Sequence, residues 1–233
     1  MNRDFIKYIA ILAMTFDHIA IALLYDIIAG KKIVPEPIAS IKQVYYLMTC
    51  VGSMTAPVMI YFIIEGCYKT RSRLKYLIRL LITAIISEIP FRLAFKSLGS
   101  TGNMIWTLAL CLIVVWTYIK YKNIIVNLIV ISIAFLINTQ TDWKNIAIPF
   151  TVLMMFAFDE NGNADKKKLV PIFIICTLYY LINHRLFFSI GLIIGFILLL
   201  FYNGRKSQRF TQFNKVFFYV YYPLHLMILY LLK

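Results

Sequence analysis

Long apolar runs, broken by short charged clusters, repeat along the chain from Phe5 to Leu232. Ile193 to Tyr202 and Leu108 to Tyr118 hold almost no polar position, and the apolar residues come in blocks rather than in alternation. A bilayer crossing takes roughly 20 apolar residues. Lipid offers no partner for a backbone N–H or C=O, so each run is predicted to be a helix. The pattern places spans at Phe5–Tyr25, Val44–Ile64, Leu77–Phe95, Met104–Ile119, Ile124–Ile137, Ile146–Phe158, Leu169–Ile182, Leu186–Tyr202 and Val216–Leu232. The expected fold is therefore all-α: one integral membrane domain over 1–233, polytopic, with about nine transmembrane helices. The fifth, sixth and seventh are short for a full crossing, which leaves a re-entrant pair open. Asp159 to Asp165, followed by Lys166 to Lys168, is the clearly polar stretch and reads as a solvated connector.

Composition strengthens this picture and removes a competing one. The chain is 61% hydrophobic and 15% charged, against roughly half and a quarter for a soluble domain. A net charge of +14 would suit nucleic-acid binding on a soluble module. Here the basic residues stand between apolar runs, where cytoplasmic loops carry them. With the N-terminus inside, the inner loops hold Lys69, Arg71, Arg73, Lys75, Lys120, Lys122, Lys166 to Lys168, Arg205, Lys206, Arg209 and Lys215. The outer loops hold Lys31, Lys32, Lys42, Lys96, Lys144 and Arg185, so nine spans put Lys233 outside. Phe5–Tyr25 is followed by no small-residue cleavage site and reads as a span rather than a signal peptide. Cys50, Cys67, Cys111 and Cys176 lack paired spacing and read as small buried hydrophobes; no metal site is expected.

Ionisable residues within spans are costly, roughly 2.5–3.5 kcal/mol each on the lenient insertion scale, and so call for a reason. The first helix carries Asp4, Lys7, Asp17 and His18. Lys7 and His18 are separated by about 16 Å of helical rise and almost three whole turns, so they share a stripe with Ile11 and Met14. Asp4 is within i,i+3 reach of Lys7. A basic residue at the mouth and a titratable ring halfway across suit a reaction between partners from opposite sides. The plain alternative is a histidine bonding a neighbouring helix and a lysine snorkelling to the surface. Asp17 adds a second ionisable group at the same depth, although it points about 100° away from His18.

A second concentration runs from Glu65 to Arg92. It includes Arg71 and Arg79 on the cytoplasmic side and Ser87-Glu88-Ile-Pro90-Phe91 near the outer end of the third span. Pro90 predicts a kink. Glu88 and Arg92, at i,i+4, can neutralise each other. The arginines can serve topology alone or clamp phosphate. In the last span His225 follows Tyr221, Tyr222 and Pro223 and lies about 14 Å from a cytoplasmic start near Val216, a depth similar to that of His18. His184 reads as ordinary surface. Asn103, Thr107, Asp142 and Trp143 stand near span ends, where they can line a cavity or cap a helix. Walker, GxGxxG, HExxH and GxSxG patterns are absent from the sequence.

These residues resemble a family. Lys7 through Asp17-His18 looks like the opening of TraX proteins. Gly52 to Pro57, Glu65-Gly66, Thr70-Arg71, Tyr76, Arg79-Leu80 and Ser87-Glu88-Ile-Pro90-Phe91 are similar to that family as well. Asn103 through Thr107 and Tyr221-Tyr-Pro223-Leu-His225 complete the resemblance. It implies N-acetylation of a pilin subunit and kinship with a broader class of transmembrane acyltransferases, in which a basic residue precedes a first-helix histidine by the Lys7-to-His18 spacing. Lysine stands here where arginine is commoner, a point charge rather than a fork. The segment from Ile124 to Tyr180 resembles the family little beyond Asp142.

The resemblance implies an acyltransferase of the bacterial plasma membrane, taking acetyl from cytoplasmic acetyl-CoA to a peptide amine or an envelope lipid or sugar at or beyond the outer face. His18 is the expected general base, since an imidazole titrates near neutral pH. His225 or Asp17 would orient it, while Lys7, Arg71 and Arg79 would hold the donor. Glu65, Glu88, Arg92, Asn103, Asp142 and Tyr222 are further cavity candidates. Three alternatives stand beside this reading: a transient acyl-histidine at His18, a proton-coupled transporter, and a non-catalytic subunit of a surface-assembly system.

Overall fold

The computed structural model describes residues 1–31, 38–96, 101–183, 185–207 and 211–233, with the side chains of Thr211 and Lys215 left aside. Lys32, Arg209 and His184, singled out above, lie outside the described residues, as does the Lys215 side chain.

Regular structure is helical throughout the described residues, with two isolated bridges and no strand. The helices are α1 (Arg3–Ile19), α2 (Tyr25–Ile28), α3 (Ile38–Gly52), α4 (Thr55–Lys69), α5 (Arg73–Ala94), α6 (Met104–Lys120), α7 (Ile124–Asn138), α8 (Ala147–Met155), α9 (Lys166–Ile182), α10 (Leu186–Leu200) and α11 (Thr211–Leu231). A π-helical turn, Ala20–Leu24, joins α1 to α2 without a break. Asn2, Asn103 and Asn123 cap α1, α6 and α7, each side chain accepting a backbone N–H of the first turn.

Every predicted span coincides with a helix, with three local differences. Val44–Ile64 is interrupted by a turn at Ser53–Met54, where Ser53 Oγ bonds the Cys50 carbonyl. The first span contains the π turn directly after His18. The sixth, predicted over Ile146–Phe158, is a helix of 9 residues, about 13 Å long, under half of a hydrocarbon core. Two helices, Arg3–Ile28 and Ile38–Lys69, are long and apolar enough to cross a membrane by length and composition. Large apolar side chains also cover outward faces: on α7, Ile124, Ile125, Leu128, Ile133 and Leu136 are all exposed. Water penalises a face of this kind and hydrocarbon does not.

The chain divides into two compact units. The first comprises Met1–Val58, Ile89–Gly99 and Ile175–Lys233. Within it α1 packs on α3 through small residues. A methyl group on Gly52 would overlap the Asp17 side chain, and Thr55 Oγ1 donates to the Ala10 carbonyl at 2.8 Å. Gly191 and Gly195, a GxxxG pair on α10, lie against Cys50, Ser53 and Met54 at the end of α3. The second unit comprises Met59–Glu88 and Ser100–Ile174. Its core is built from Ile60, Ile64, Leu112, Ile148, Phe150, Met154 and Leu169, all essentially inaccessible to solvent.

Candidate functional site

In the first unit α1 and α11 run side by side in the same direction, joined by a ladder of polar rungs. Tyr8 Oη donates to Asn214 Oδ1 at 2.7 Å, Thr15 Oγ1 meets Tyr221 Oη at 2.8 Å, and His18 Nδ1 meets His225 Nε2 at 2.7 Å. The sequence separations of the three rungs are 206, 206 and 207, which makes the helices parallel and in register. Positions 8, 15 and 18 share one helical face, as do 214, 221 and 225. Burial of Ile11, Met14 and His18 turns the predicted stripe of the first helix inward.

The top rung is the chemically notable one. His18 is 5% exposed and His225 6%, and the two rings are nearly parallel, with centroids 5.0 Å apart. His225 Nδ1 lies 2.9 Å from the Tyr221 carbonyl oxygen. A carbonyl only accepts, so Nδ1 of His225 carries a proton. In a neutral His225, Nε2 is then the acceptor, and the donor of the 2.7 Å bond is His18 Nδ1–H. That leaves the lone pair of a neutral His18 on Nε2. Phe95 and Tyr222 meet the His18 ring edge-on at 5.1 and 6.0 Å, and Tyr222 also meets His225 edge-on at 5.4 Å. The His225 ring uses the Tyr221 carbonyl rather than that of Tyr219, whose usual helical donor is missing at Pro223.

Other predicted members of this unit are placed differently. Asp17 is half-buried against Gly52, on the side of α1 that meets α3. Lys7 sits with its ammonium 5.2 Å from the centroid of the Phe218 ring. Asp4 is buried, accepts the Ser207 N–H at 2.9 Å and lies 3.5 Å from the Arg3 guanidinium. Arg92 is exposed.

The second unit gathers a separate polar cluster. Glu88 Oε2 accepts from Asn103 Nδ2 at 2.7 Å, from Trp106 Nε1 at 3.1 Å and from the Asn103 backbone N–H at 3.3 Å. Thr107 Oγ1 bonds Thr141 Oγ1 and the Asp142 carbonyl, tying α6 to the loop after α7. That loop is pinned by Gly102 N–H to the Gln140 carbonyl and by Asp142 N–H to the Gly102 carbonyl. Trp143 and Asn145 adopt positive φ of 57° and 64° there. Burial pushes the Asp142 carboxyl up from its ordinary range, offset in part by the Trp143 N–H. Glu65 is buried and paired with Lys69 at 2.8 Å, one turn away, which neutralises it locally. Arg71 lies in the connector before α5, which begins at Arg73, and it is exposed. Arg79 is exposed and stacks on Tyr76 at 5.9 Å.

The fold thus joins His18, His225 and Tyr222 in one place, and Glu88 with Asn103 in another. Thr15 and Trp106 were not among the candidates read from sequence. The available signal for Thr15 was its i−3 position to His18 on the inward face.

Two comparisons locate this arrangement among known proteins. Residues 2–233 match the model of a family described as TraX protein. The chain is also similar to a probable fimbrial assembly protein FimC, serogroup H1, of Dichelobacter nodosus. The two are 27% identical over 254 residues, covering 98% of this chain and 96% of that protein. No solved structure matches the chain.

Proposed function

The chain belongs to the TraX family, and on that premise we propose that it is a membrane-embedded acyltransferase passing acetyl from cytoplasmic acetyl-CoA to an acceptor at or beyond the outer face. The observation that carries this reading is the buried His18–His225 pair, whose bonding leaves an imidazole lone pair at His18 Nε2. A buried imidazole with a lone pair and a bonded second histidine is the equipment of general-base catalysis.

In this reading His18 Nε2 takes the proton of the acceptor N–H or O–H as the acceptor's lone pair closes on the acetyl carbon. His18 Nδ1–H keeps its bond to His225, so the growing positive charge is shared across two rings. His18 then returns the proton to the departing thiolate as the C–S bond breaks. Acetyl-CoA, when bound, supplies the thioester carbonyl that is attacked. The exposed guanidinium groups of Arg71 and Arg79 suit the donor's phosphates, whereas Lys69 is committed to Glu65. Lys7, on the same stripe as His18, would guide the donor's arm. The D. nodosus relative is described by its role in fimbrial assembly, which favours a surface-fibre subunit as the acceptor. The exposed apolar faces and the two long apolar helices support a bacterial plasma-membrane location, and the reading keeps about nine spans.

The test is acetyl transfer by purified protein in nanodiscs, from labelled acetyl-CoA to an envelope fraction. His18→Ala should leave less than a tenth of wild-type turnover while the protein still inserts and elutes normally, since a general base contributes about 10²–10⁴-fold. Retention of more than a tenth removes His18 from the role of base. Wild-type protein that neither binds nor consumes acetyl-CoA points instead to a non-catalytic assembly subunit.

A further inference from the structure

We propose that Tyr221, anchored by Thr15, is a positioning residue that holds His225 and thereby keeps the lone pair of His18 on Nε2. The inference rests on His18 acting as the base of the proposed transfer. Neutral imidazole can carry its proton on either nitrogen, and the hydrogen bond made by the other nitrogen decides which. Nothing intrinsic to His18 selects Nε2; the choice is imposed from α11.

Tyr221 grips His225 in two ways. Its backbone carbonyl accepts the His225 Nδ1–H at 2.9 Å, and its ring stacks on the imidazole with centroids 5.1 Å apart and planes 14° from parallel. The phenol is itself held. Thr15 Oγ1 donates its only proton to the Ile11 carbonyl at 2.8 Å, so in the 2.8 Å contact with Tyr221 the tyrosine hydroxyl is the donor. Phe217 supports the far end of the stack, 5.2 Å from the Tyr221 ring. The ring of Tyr221 is therefore fixed by α1 and in turn fixes the plane of His225.

Loss of the hydroxyl bond frees the Tyr221 ring and relaxes the stack. His225 can then rotate about its Cβ–Cγ bond and carry Nδ1–H away from the carbonyl. His18 Nδ1–H would lose its acceptor, and the proton on His18 would pass to Nε2. A proton at Nε2 blocks the nitrogen that must receive one. The cost would fall on turnover and not on donor binding, because neither Thr15 nor Tyr221 bears a charge suited to phosphate.

The experiment uses full-length protein labelled with ¹⁵N-histidine in nanodiscs, with no acyl donor present, and reads the ring nitrogens by NMR. His184→Gln removes the third ring from the spectrum. In the wild type both site imidazoles should carry their proton at Nδ1. Tyr221→Phe and Thr15→Val should each move His18 toward the Nε2–H form and lower kcat about tenfold at unchanged donor KM, part of what a general base supplies. Thr15→Ser, which keeps the hydroxyl, should restore both. A wild-type spectrum with the His18 proton at Nε2 overturns the proposal, as does any variant in which spectrum and kcat fail to move together. The spectrum needs no turnover. Absence of transferase activity would therefore sink the functional reading and leave this assignment to be judged by NMR.

Discussion

Gly52 stands so close to Asp17 that a methyl group there would overlap the aspartate's Cβ, an atom that cannot swing aside. Gly52→Ala is expected to cost about 1–3 kcal/mol, as overpacking does. Thermal unfolding in detergent reads the loss, and Asp17→Ala in the same chain, which keeps the offending Cβ, should recover little of it. Equal stability of Gly52→Ala and wild type would contradict the close approach of α1 and α3. Asp159 makes a different prediction. Its carboxylate accepts the Asn163 and Asn161 N–H groups, and the Asn163 N–H chiefly holds its pKa below the ordinary 3.8. The folded loop therefore prefers the charged form. The stability it contributes is present above the ordinary value and is lost as pH falls through the lower folded value. Proteolytic nicking of the 159–165 loop should rise on acidification below about pH 4 in the wild type, with Asp159→Asn showing no such pH step. Arg79 is exposed, as a donor-binding residue must be. Arg79→Ala should weaken acetyl-CoA binding about tenfold by calorimetry, on the basis of roughly 1.5–3 kcal/mol for a charge-assisted contact. Unaltered affinity in both Arg79→Ala and Arg71→Ala would move the donor elsewhere.

At the scale of elements, α3 and α10 meet through Gly191 and Gly195, and the two positions are not equivalent. A methyl group on Gly191 would overlap Ser53 Oγ and the Cys50 carbonyl, whereas on Gly195 it would stand 3.1 Å from the Met54 carbonyl. In lipid, helices associate by packing rather than by expelling water, so backbone approach through small residues sets this interface. Gly191→Ala should lower the unfolding temperature clearly more than Gly195→Ala, and the reverse order would refute the packing. The same contact explains the turn at Ser53–Met54. Ser53 bonds back to Cys50 instead of leaving that part of the chain a plain helix. The π turn after His18 is a second interruption of this kind. An extra residue there rotates everything beyond Ile19 relative to the histidine face.

At the scale of the molecule, the parallel course of α1 and α11 has a topological consequence. If both cross the bilayer, their N-terminal ends share one side, and an odd number of crossings must separate Met1 from Lys233. Cysteine labelling should find Lys233 outside and the N-terminus inside. A cytoplasmic Lys233 would require either an even count or a different pairing of these helices. The helical runs among the described residues were legible in the sequence because each depends on a local property: an apolar run bounded by charge, with backbone groups that only a helix satisfies in lipid. His18 was legible for a similar reason, as a titratable group costly at its depth and in phase with Ile11 and Met14. The 9-residue length of α8 and the breaks at Ala20–Leu24 and Ser53–Met54 were not. A glycine or serine in a run permits close approach without saying which helix will approach. The feature on which the proposed function rests, a His18 lone pair on Nε2, came from contacts separated by 206 and 207 positions. Each histidine by itself was equally a packing device. Which nitrogen holds a proton is decided by the partner on the other side of the bond, and partners so far apart in sequence are chosen by tertiary structure alone.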